Sequence, residues 1–117
     1  MTPLRSVLAA LAERPDVAGA AVISDEGLVI ASSLPDVLDA DAVAAFTVSA
    51  HRAIDSLAGT VRHGAVDEAV IASGTGSMVL VRLGAGATLL LLAAPDGDLG
   101  ALLYEVRRHG PTLAALA

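Results

Sequence analysis

The residue pair with the clearest potential for chemistry is His51 and Asp55, which stand four positions apart in a stretch of helical periodicity. Side chains at that spacing lie on one helix face, so the two could pair or could supply two metal ligands. A structural zinc site needs about four ligands and a catalytic one about three. The pair therefore favours an exposed histidine beside a carboxylate over a metal site.

The remaining acidic and hydroxyl residues do not form a catalytic pattern. Asp67 and Glu68 are adjacent on a predicted strand and point to opposite faces, so they cannot easily act on one atom. Ser, His and Asp all occur, but no GxSxG sequence places a serine on a strained turn. Asp96 and Asp98 lack the twelve-position loop of a calcium site. We predict that the protein is not an enzyme and uses no metal or other cofactor.

Three glycine-rich segments, GTGS, GAGA and DGDLG, invite comparison with phosphate-binding loops. The first two join strand to strand, so they do not open a helix whose amides could hold a phosphate. The third opens a helix, but its two aspartates would repel an anion, and Asp98 is better explained as the helix N-cap. All three segments are therefore interpreted as turns.

The elements that carry these segments follow from the spacing of apolar residues. The predicted helices are a first one that starts at Thr2 and Pro3 and stops before Pro15, a long one that is capped by Asp39 or Asp41 and runs to about Gly59, and a last one from Leu99 to the break at Gly110 and Pro111. The predicted strands are Val17–Ser24, Leu28–Ser33, Val66–Ser73, Ser77–Leu83 and Ala87–Ala94. This order predicts a single domain over residues 1–117, an α/β sandwich around one five-stranded, mostly antiparallel sheet.

The sequence predicts which face of the long helix is buried and where the cations of the last helix lie. We expect the apolar stripe of the long helix to be its buried face; the stripe consists of Val43, Phe46, Thr47, Ala50, Ile54 and Leu57. In the last helix, Arg107, Arg108 and His109 are expected near the C-terminal end, where the helix dipole favours cations.

Composition and charge exclude several classes of protein. The net charge is -6 and all seven cations are arginines without a basic patch, which argues against nucleic acid and against an anionic membrane surface. The apolar run ATLLLLAAP is too short to cross a bilayer, and the N-terminal VLAALA is better explained as an amphipathic helix than as a signal peptide. We therefore expect a cytoplasmic protein without membrane insertion. A mean hydropathy of +0.70 further predicts that another chain covers part of its apolar surface.

In order and spacing the chain resembles the Roadblock/LC7 family. The resemblance is carried by LAERPDVAGAAVISDEGLVIASSLP, by the small-residue-rich long helix, and by GSMVLVRLGAGATLLLLAAPDGDLG with the closing helix. It covers nearly the whole chain, and none of these segments is a catalytic signature. It implies the profilin-like Roadblock/LC7 fold and a homodimer in which the third strands pair and the second helices lie side by side. The residues expected at that interface are Val66, Glu68, Val70, Ala72, Ala42 and Ala53.

The resemblance also implies a partner, because bacterial members of the family act with small Ras-like GTPases in gliding motility. We expect the chain to bind and regulate such a GTPase through the exposed face of the paired long helices; the residues expected there are Ala45, Val48, Ser49, Arg52 and Ser56, with His51 and Asp55 near the rim. An arginine finger at Arg52 is less favoured than an ordinary solvated or dimer-bridging arginine. The alternatives are a light-chain-like adaptor that tethers its partner without affecting nucleotide turnover, and a sensor that binds a small molecule in its cleft.

Overall fold

In the computed structural model, which describes residues 3–84 and 86–117, eight elements follow one another in the predicted order. The helices are α1 (Pro3–Ala12), α2 (Ala40–Thr60) and α3 (Leu99–Leu116), and the strands are β1 (Val17–Ser24), β2 (Val29–Ser33), β3 (Glu68–Ser73), β4 (Gly76–Gly84) and β5 (Ala87–Ala93). The predicted cap Thr2 and the turn residue Ala85 lie outside the described residues. None of the described helices combines the length and hydrophobicity that a bilayer crossing requires.

The five strands form one antiparallel sheet in the order β2-β1-β5-β4-β3, which confirms the predicted architecture. The central strand β5 reads ATLLLLA and is buried almost throughout, because helices cover both faces of the sheet. One core lies between the sheet and the helices α1 and α3, and a smaller one lies between the sheet and α2. The strands β2 and β3 form the two edges.

Local signals position most of the turns and helix starts as predicted. Gly27 closes the β1–β2 hairpin with φ of 85°, a conformation that glycine adopts without steric cost. The Asp39 carboxylate caps α2 by accepting from the amides of Asp41 and Ala42, and Asp98 caps α3 by accepting from the amide of Ala101.

The buried face of α2 differs from the predicted one. Phe46 and Leu57 of the predicted stripe are 75% and 65% exposed, whereas Val48 and His51 are almost completely buried. The buried residues of the helix are Ala44, Thr47, Val48, His51 and Ala58. On a helix with 100° per residue, the mean direction of the observed buried residues differs from that of the predicted stripe by about a quarter of a revolution. The helix is thus rotated about its axis relative to the prediction. Small side chains at positions 44 and 58 let α2 approach the sheet, and its most apolar stripe points sideways, toward the β3 edge.

The last helix does not end at Gly110 and Pro111 as predicted but continues to Leu116. Pro111 removes one backbone donor, while Leu113 in the following turn is fully buried in the core and holds that turn in place. Arg107, Arg108 and His109 therefore lie within the helix and not at its C-terminal end. They contact the carboxylates of Glu68 and Glu105.

Candidate interaction surface

An exposed apolar region lies on one side of α2 and continues to the strand β3. The α2 stripe, as we call it below, consists of Ala42, Phe46, Ala50, Ala53 and Leu57, with Val61 directly after the helix. Phe46, Leu57 and Val61 are 75%, 65% and 50% exposed. The stripe carries no charged side chain. Large uncharged surfaces of this kind mark sites where another molecule binds.

The strand β3 adds unpaired backbone groups to this surface. Among the described residues it pairs only with β4, in an uninterrupted register from Glu68 to Ser73. Its one charged side chain, Glu68, is held by Arg107 of α3 through two hydrogen bonds of 2.7 and 3.2 Å. By contrast, the opposite edge strand β2 contains a bulge where Ile30 has no pairing partner on β1. Bulges protect edges from further pairing, so β3 is the edge that is open to it.

A groove of about 440 Å³ opens between the first half of α2 and the sheet. Its walls are almost entirely aliphatic and aromatic, with Val43, Phe46 and Ala50 on the helix and Ile71, Leu90 and other residues on the strands. The groove is also lined by Leu38, Asp39, Ala42, Thr47, Met78, Leu80 and Leu92. The α2 stripe therefore borders an open apolar groove in its N-terminal half.

Beneath α2 lies a polar cluster in which Arg82 joins His51 and Asp55. Arg82 of β4 forms an ion pair with Asp55 and also lies 3.2 Å from Nε2 of His51. Asp55 accepts from the amide of Val66 at 2.8 Å, and the Val66 carbonyl accepts from Arg82 at 3.4 Å. Nδ1 of His51 lies 3.1 Å from the hydroxyl of Thr88. The cluster ties the connection between α2 and β3 to the helix.

Both ring nitrogens of His51 have polar neighbours. Nδ1 lies beside the Thr88 hydroxyl, and Nε2 lies between Nη2 of Arg82, which can only donate, at 3.2 Å and the Val66 carbonyl, which can only accept, at 3.3 Å. The prediction of an exposed histidine is wrong, because His51 is only 6% exposed and lies against the guanidinium of Arg82. No group of three metal-binding side chains occurs among the described residues.

The residues predicted to contact a partner do not all lie on one exposed face. Ala45, Ser49, Arg52 and Ser56 are exposed, as a contact surface requires. Val48 and His51 face the sheet, and Asp55 is half-buried in its ion pair, because α2 is rotated relative to the prediction. Arg52 donates from Nη2 to the carbonyl of Asp25 at 3.0 Å. In this structure it links α2 to the β1–β2 turn.

The residues predicted at the dimer interface fall into two groups. Val70 and Ala72 are exposed on β3, Ala53 is exposed on the α2 stripe, and Ala42 borders the groove. Val66, however, precedes the strand, and its backbone is bound by the polar cluster. Glu68 faces α3 through its ion pair. Strand propensity at position 66 could not reveal that a carboxylate of α2 binds its amide.

The groove and the partners of His51 were missed for a common reason. Both depend on which face of α2 meets the sheet, and apolar periodicity selected the wrong face. One signal was available in Arg82, which is the only charge in the apolar strand GSMVLVRLG and needs a partner when such a strand is covered.

Comparison with known proteins agrees with this architecture. Two proteins of Methanocaldococcus jannaschii, MJ0310 and MJ1340, are each 29% identical over 110 residues, which cover 94% of this chain and 96% of each relative. The solved structure of Myxococcus xanthus MglB superposes with a TM-score of 0.91 at 16% identity, covering 98% of this chain and 94% of that one. A Roadblock/LC7 domain from Streptomyces avermitilis gives a TM-score of 0.83 at 23% identity, with coverage of 98% and 95%.

The fold, the open β3 edge and the exposed α2 stripe are features of an interaction module. The family model of the Roadblock/LC7 domain matches residues 4–93. The chain therefore belongs to the Roadblock/LC7 family.

Proposed function

We propose that the chain is a cytoplasmic, homodimeric module that binds and regulates a small Ras-like GTPase. The observation that carries the proposal is the continuous uncharged surface formed by the β3 edge and the α2 stripe. A second copy offers the same surface, and an isologous dimer would pair the two edges and cover both stripes. A solved MglB structure with the same fold, 20% identical to this chain, is described as having a tetrameric arrangement, which supports self-association as a possibility for this fold.

The dimer is tested by changing one edge and then the other. Val70→Lys places two cations near each other across the proposed β3 pair, whereas Ser32→Lys adds the same charge to β2, the edge that contains the bulge. Sedimentation equilibrium should find a dimer for the unmodified chain and for Ser32→Lys, and a monomer for Val70→Lys. A Val70→Lys protein that stays dimeric would refute pairing through β3.

The GTPase is supported by family membership together with the exposed small residues of α2. Ala45, Ser49 and Ser56 have small exposed side chains, so a second protein can approach the helix backbone closely there. Arg52 lies beside them and is also exposed. Because Arg52 already binds the Asp25 carbonyl, we assign it a positioning role at this surface and not that of an arginine finger. Arg52→Ala should therefore preserve most of any stimulation of GTP hydrolysis. An Arg52→Ala protein that binds the GTPase normally but does not stimulate hydrolysis would support the arginine-finger hypothesis instead.

Nucleotide preference distinguishes a regulator from a tethering adaptor. The chain is titrated against the Ras-like GTPase encoded nearest to its gene, loaded with GDP or with a non-hydrolysable GTP analogue. A tenfold preference, about 1.4 kcal/mol, would support a regulator. Equal affinities would support the adaptor, since a ligand that binds both states equally shifts neither.

A further inference from the structure

A polar cavity of about 210 Å³ lies between α2 and the sheet. Its walls carry two cations, Arg52 and Arg82, and two acids, Asp25 and Asp55. Asp25 and Arg52 are exposed, so the cavity is within reach of solvent. His51 lines the same cavity, and histidine is the side chain that ordinarily changes its charge between about pH 5 and pH 8.

The ring of His51 has a donor and an acceptor beside the same nitrogen. Nε2 lies 3.2 Å from Nη2 of Arg82, which can only donate, and 3.3 Å from the carbonyl of Val66, which can only accept. An unprotonated Nε2 can therefore bind Arg82 alone, and a protonated Nε2 can bind Val66 alone. The other ring nitrogen, Nδ1, lies 3.1 Å from the hydroxyl of Thr88, which can donate or accept and so fits either state.

We propose that His51 is a pH-sensitive switch in the connection between α2 and β3. In the neutral state Nε2 accepts from Arg82 and Nδ1 donates to Thr88. When the ring gains a proton, Nε2 becomes a donor to the Val66 carbonyl, and the new positive charge repels the guanidinium of Arg82. Nδ1 continues to donate to Thr88, so one proton changes only the partner of Nε2. This inference does not depend on the proposed function.

The exchange changes which element holds the segment before β3. In the neutral state the amide of Val66 donates to Asp55 of α2 at 2.8 Å, and its carbonyl accepts from Nε of Arg82 of β4 at 3.4 Å. In the protonated state α2 binds both backbone groups of Val66, the amide through Asp55 and the carbonyl through His51. Arg82 keeps its ion pair with Asp55 and loses its other two acceptors. Acid thus transfers the Val66 carbonyl from the sheet to the helix.

The charged groups around the ring come from three elements. Arg82 faces the ring from β4 and opposes an added proton, whereas the carboxylates of Asp55, on α2 itself, and of Asp25, in the β1–β2 turn, favour it. Arg52 of α2 directs its guanidinium to the Asp25 carbonyl. The strand β5 presents the uncharged Thr88. The like charge in contact with the ring is therefore that of Arg82, which is the group that the exchange releases.

Nuclear magnetic resonance of the unmodified, isotope-labelled chain can follow both ends of the exchange. Between about pH 8 and pH 5 the ring of His51 should change from a state with a proton on Nδ1 alone to a state with protons on both nitrogens. The carbonyl carbon of Val66 should shift over the same range, because its donor changes from a guanidinium to the ring. The Nε–H signal of Arg82 should shift with the same midpoint.

Two matched variants separate this switch from other titrating groups. Glutamine offers an amide of similar reach that does not titrate in this range, so His51→Gln should abolish the shifts at Val66 and Arg82. His63 is exposed in the same connection between α2 and β3. His63→Gln should therefore leave both shifts unchanged.

Four results would overturn the proposal. The first is a His51 ring that stays neutral down to about pH 5. The second is a neutral ring with its proton on Nε2, because that nitrogen would already donate to Val66 and no exchange could follow. The third is a ring that gains its proton while the Val66 carbonyl does not respond, and the fourth is a set of shifts that persists in His51→Gln. The first three are measured on the unmodified chain and do not depend on how the variant folds.

Discussion

At the scale of single residues, two positions next to the ends of elements have constrained conformations or contacts: Arg62, after α2, and Asp16, before β1. Arg62 follows α2 with φ of 62°, and the amide of His63 donates to the carbonyl of Ala58 while that of Arg62 donates to Gly59. This is the glycine-type C-terminal cap of a helix with a non-glycine residue at its left-handed position. Asp16, at the start of β1, is bound by Arg14 through two hydrogen bonds of 3.0 Å.

Arg62→Gly should stabilise the protein. A left-handed conformation costs a residue with a side chain about 1–2 kcal/mol, part of which is offset by the greater flexibility of glycine in the unfolded chain. We expect a net gain of about 0.5–1 kcal/mol in the free energy of unfolding, measured by urea denaturation at fixed protein concentration. Arg62→Ala is the control, since it removes the charge and keeps the strained φ. Equal stability of the two variants would show that the positive φ is not costly here.

Asp16 should make stability sensitive to acid. The hydrogen bond and charge of Arg14 hold the pKa of the Asp16 carboxyl below its ordinary value. A lowered folded-state pKa gives stability that is present above the unfolded pKa, about 3.9, and is lost as the pH falls through the folded pKa. Asp16→Asn should therefore be less stable than the unmodified chain at pH 7, and the difference should shrink below about pH 4. A difference that stayed constant down to pH 2 would contradict the role of the ion pair.

At the scale of elements, the connection between α2 and β3 depends on the polar cluster. Arg82→Met should destabilise the protein by about 1–3 kcal/mol, because it leaves Asp55 and the Val66 carbonyl without a charged donor. Arg108→Ala removes an exposed pair with Glu105 and should change stability by less than about 1 kcal/mol. Chemical denaturation of both variants compares the two pairs, and equal effects would mean that the cluster contributes no more than a surface ion pair.

The end of α3 offers a second test at this scale. Leu113 is fully buried after Pro111, whereas Leu116 in the last turn is exposed. Leu113→Ala should cost about 2–5 kcal/mol of unfolding free energy, and Leu116→Ala should cost much less. Similar small effects for both would place the end of the helix before Pro111, as the sequence alone predicted.

Elements that depend on local residue types could be predicted from the sequence, whereas features that depend on tertiary packing could not. The strands, the caps Asp39 and Asp98, and the turn at Gly27 depend on local residue types, and the predictions agree with the structure to within two residues at strand ends. The face of α2 and the end of α3 depend on tertiary packing. Apolar periodicity identified a real stripe on α2, but it could not show that this stripe points away from the helix's own sheet.

At the scale of the whole molecule, that misassigned stripe is informative about function. A helix that buries Thr47, His51 and small residues beneath it, and leaves Phe46 and Leu57 exposed, is suited to association through its side. This surface explains part of the high mean hydropathy. The GTPase-binding residues remain a prediction, because an exposed surface alone does not identify its partner.

The most direct test of the account is the affinity of the nearest-encoded Ras-like GTPase for three proteins: the unmodified chain, Val70→Lys and Ser32→Lys. If the paired α2 helices form the binding surface, the unmodified chain and Ser32→Lys should bind equally, and monomeric Val70→Lys should bind at least about tenfold more weakly, or about 1.4 kcal/mol. Equal binding by all three, with Val70→Lys monomeric, would contradict a dimeric binding surface, and no binding by any of them would contradict the proposed partner.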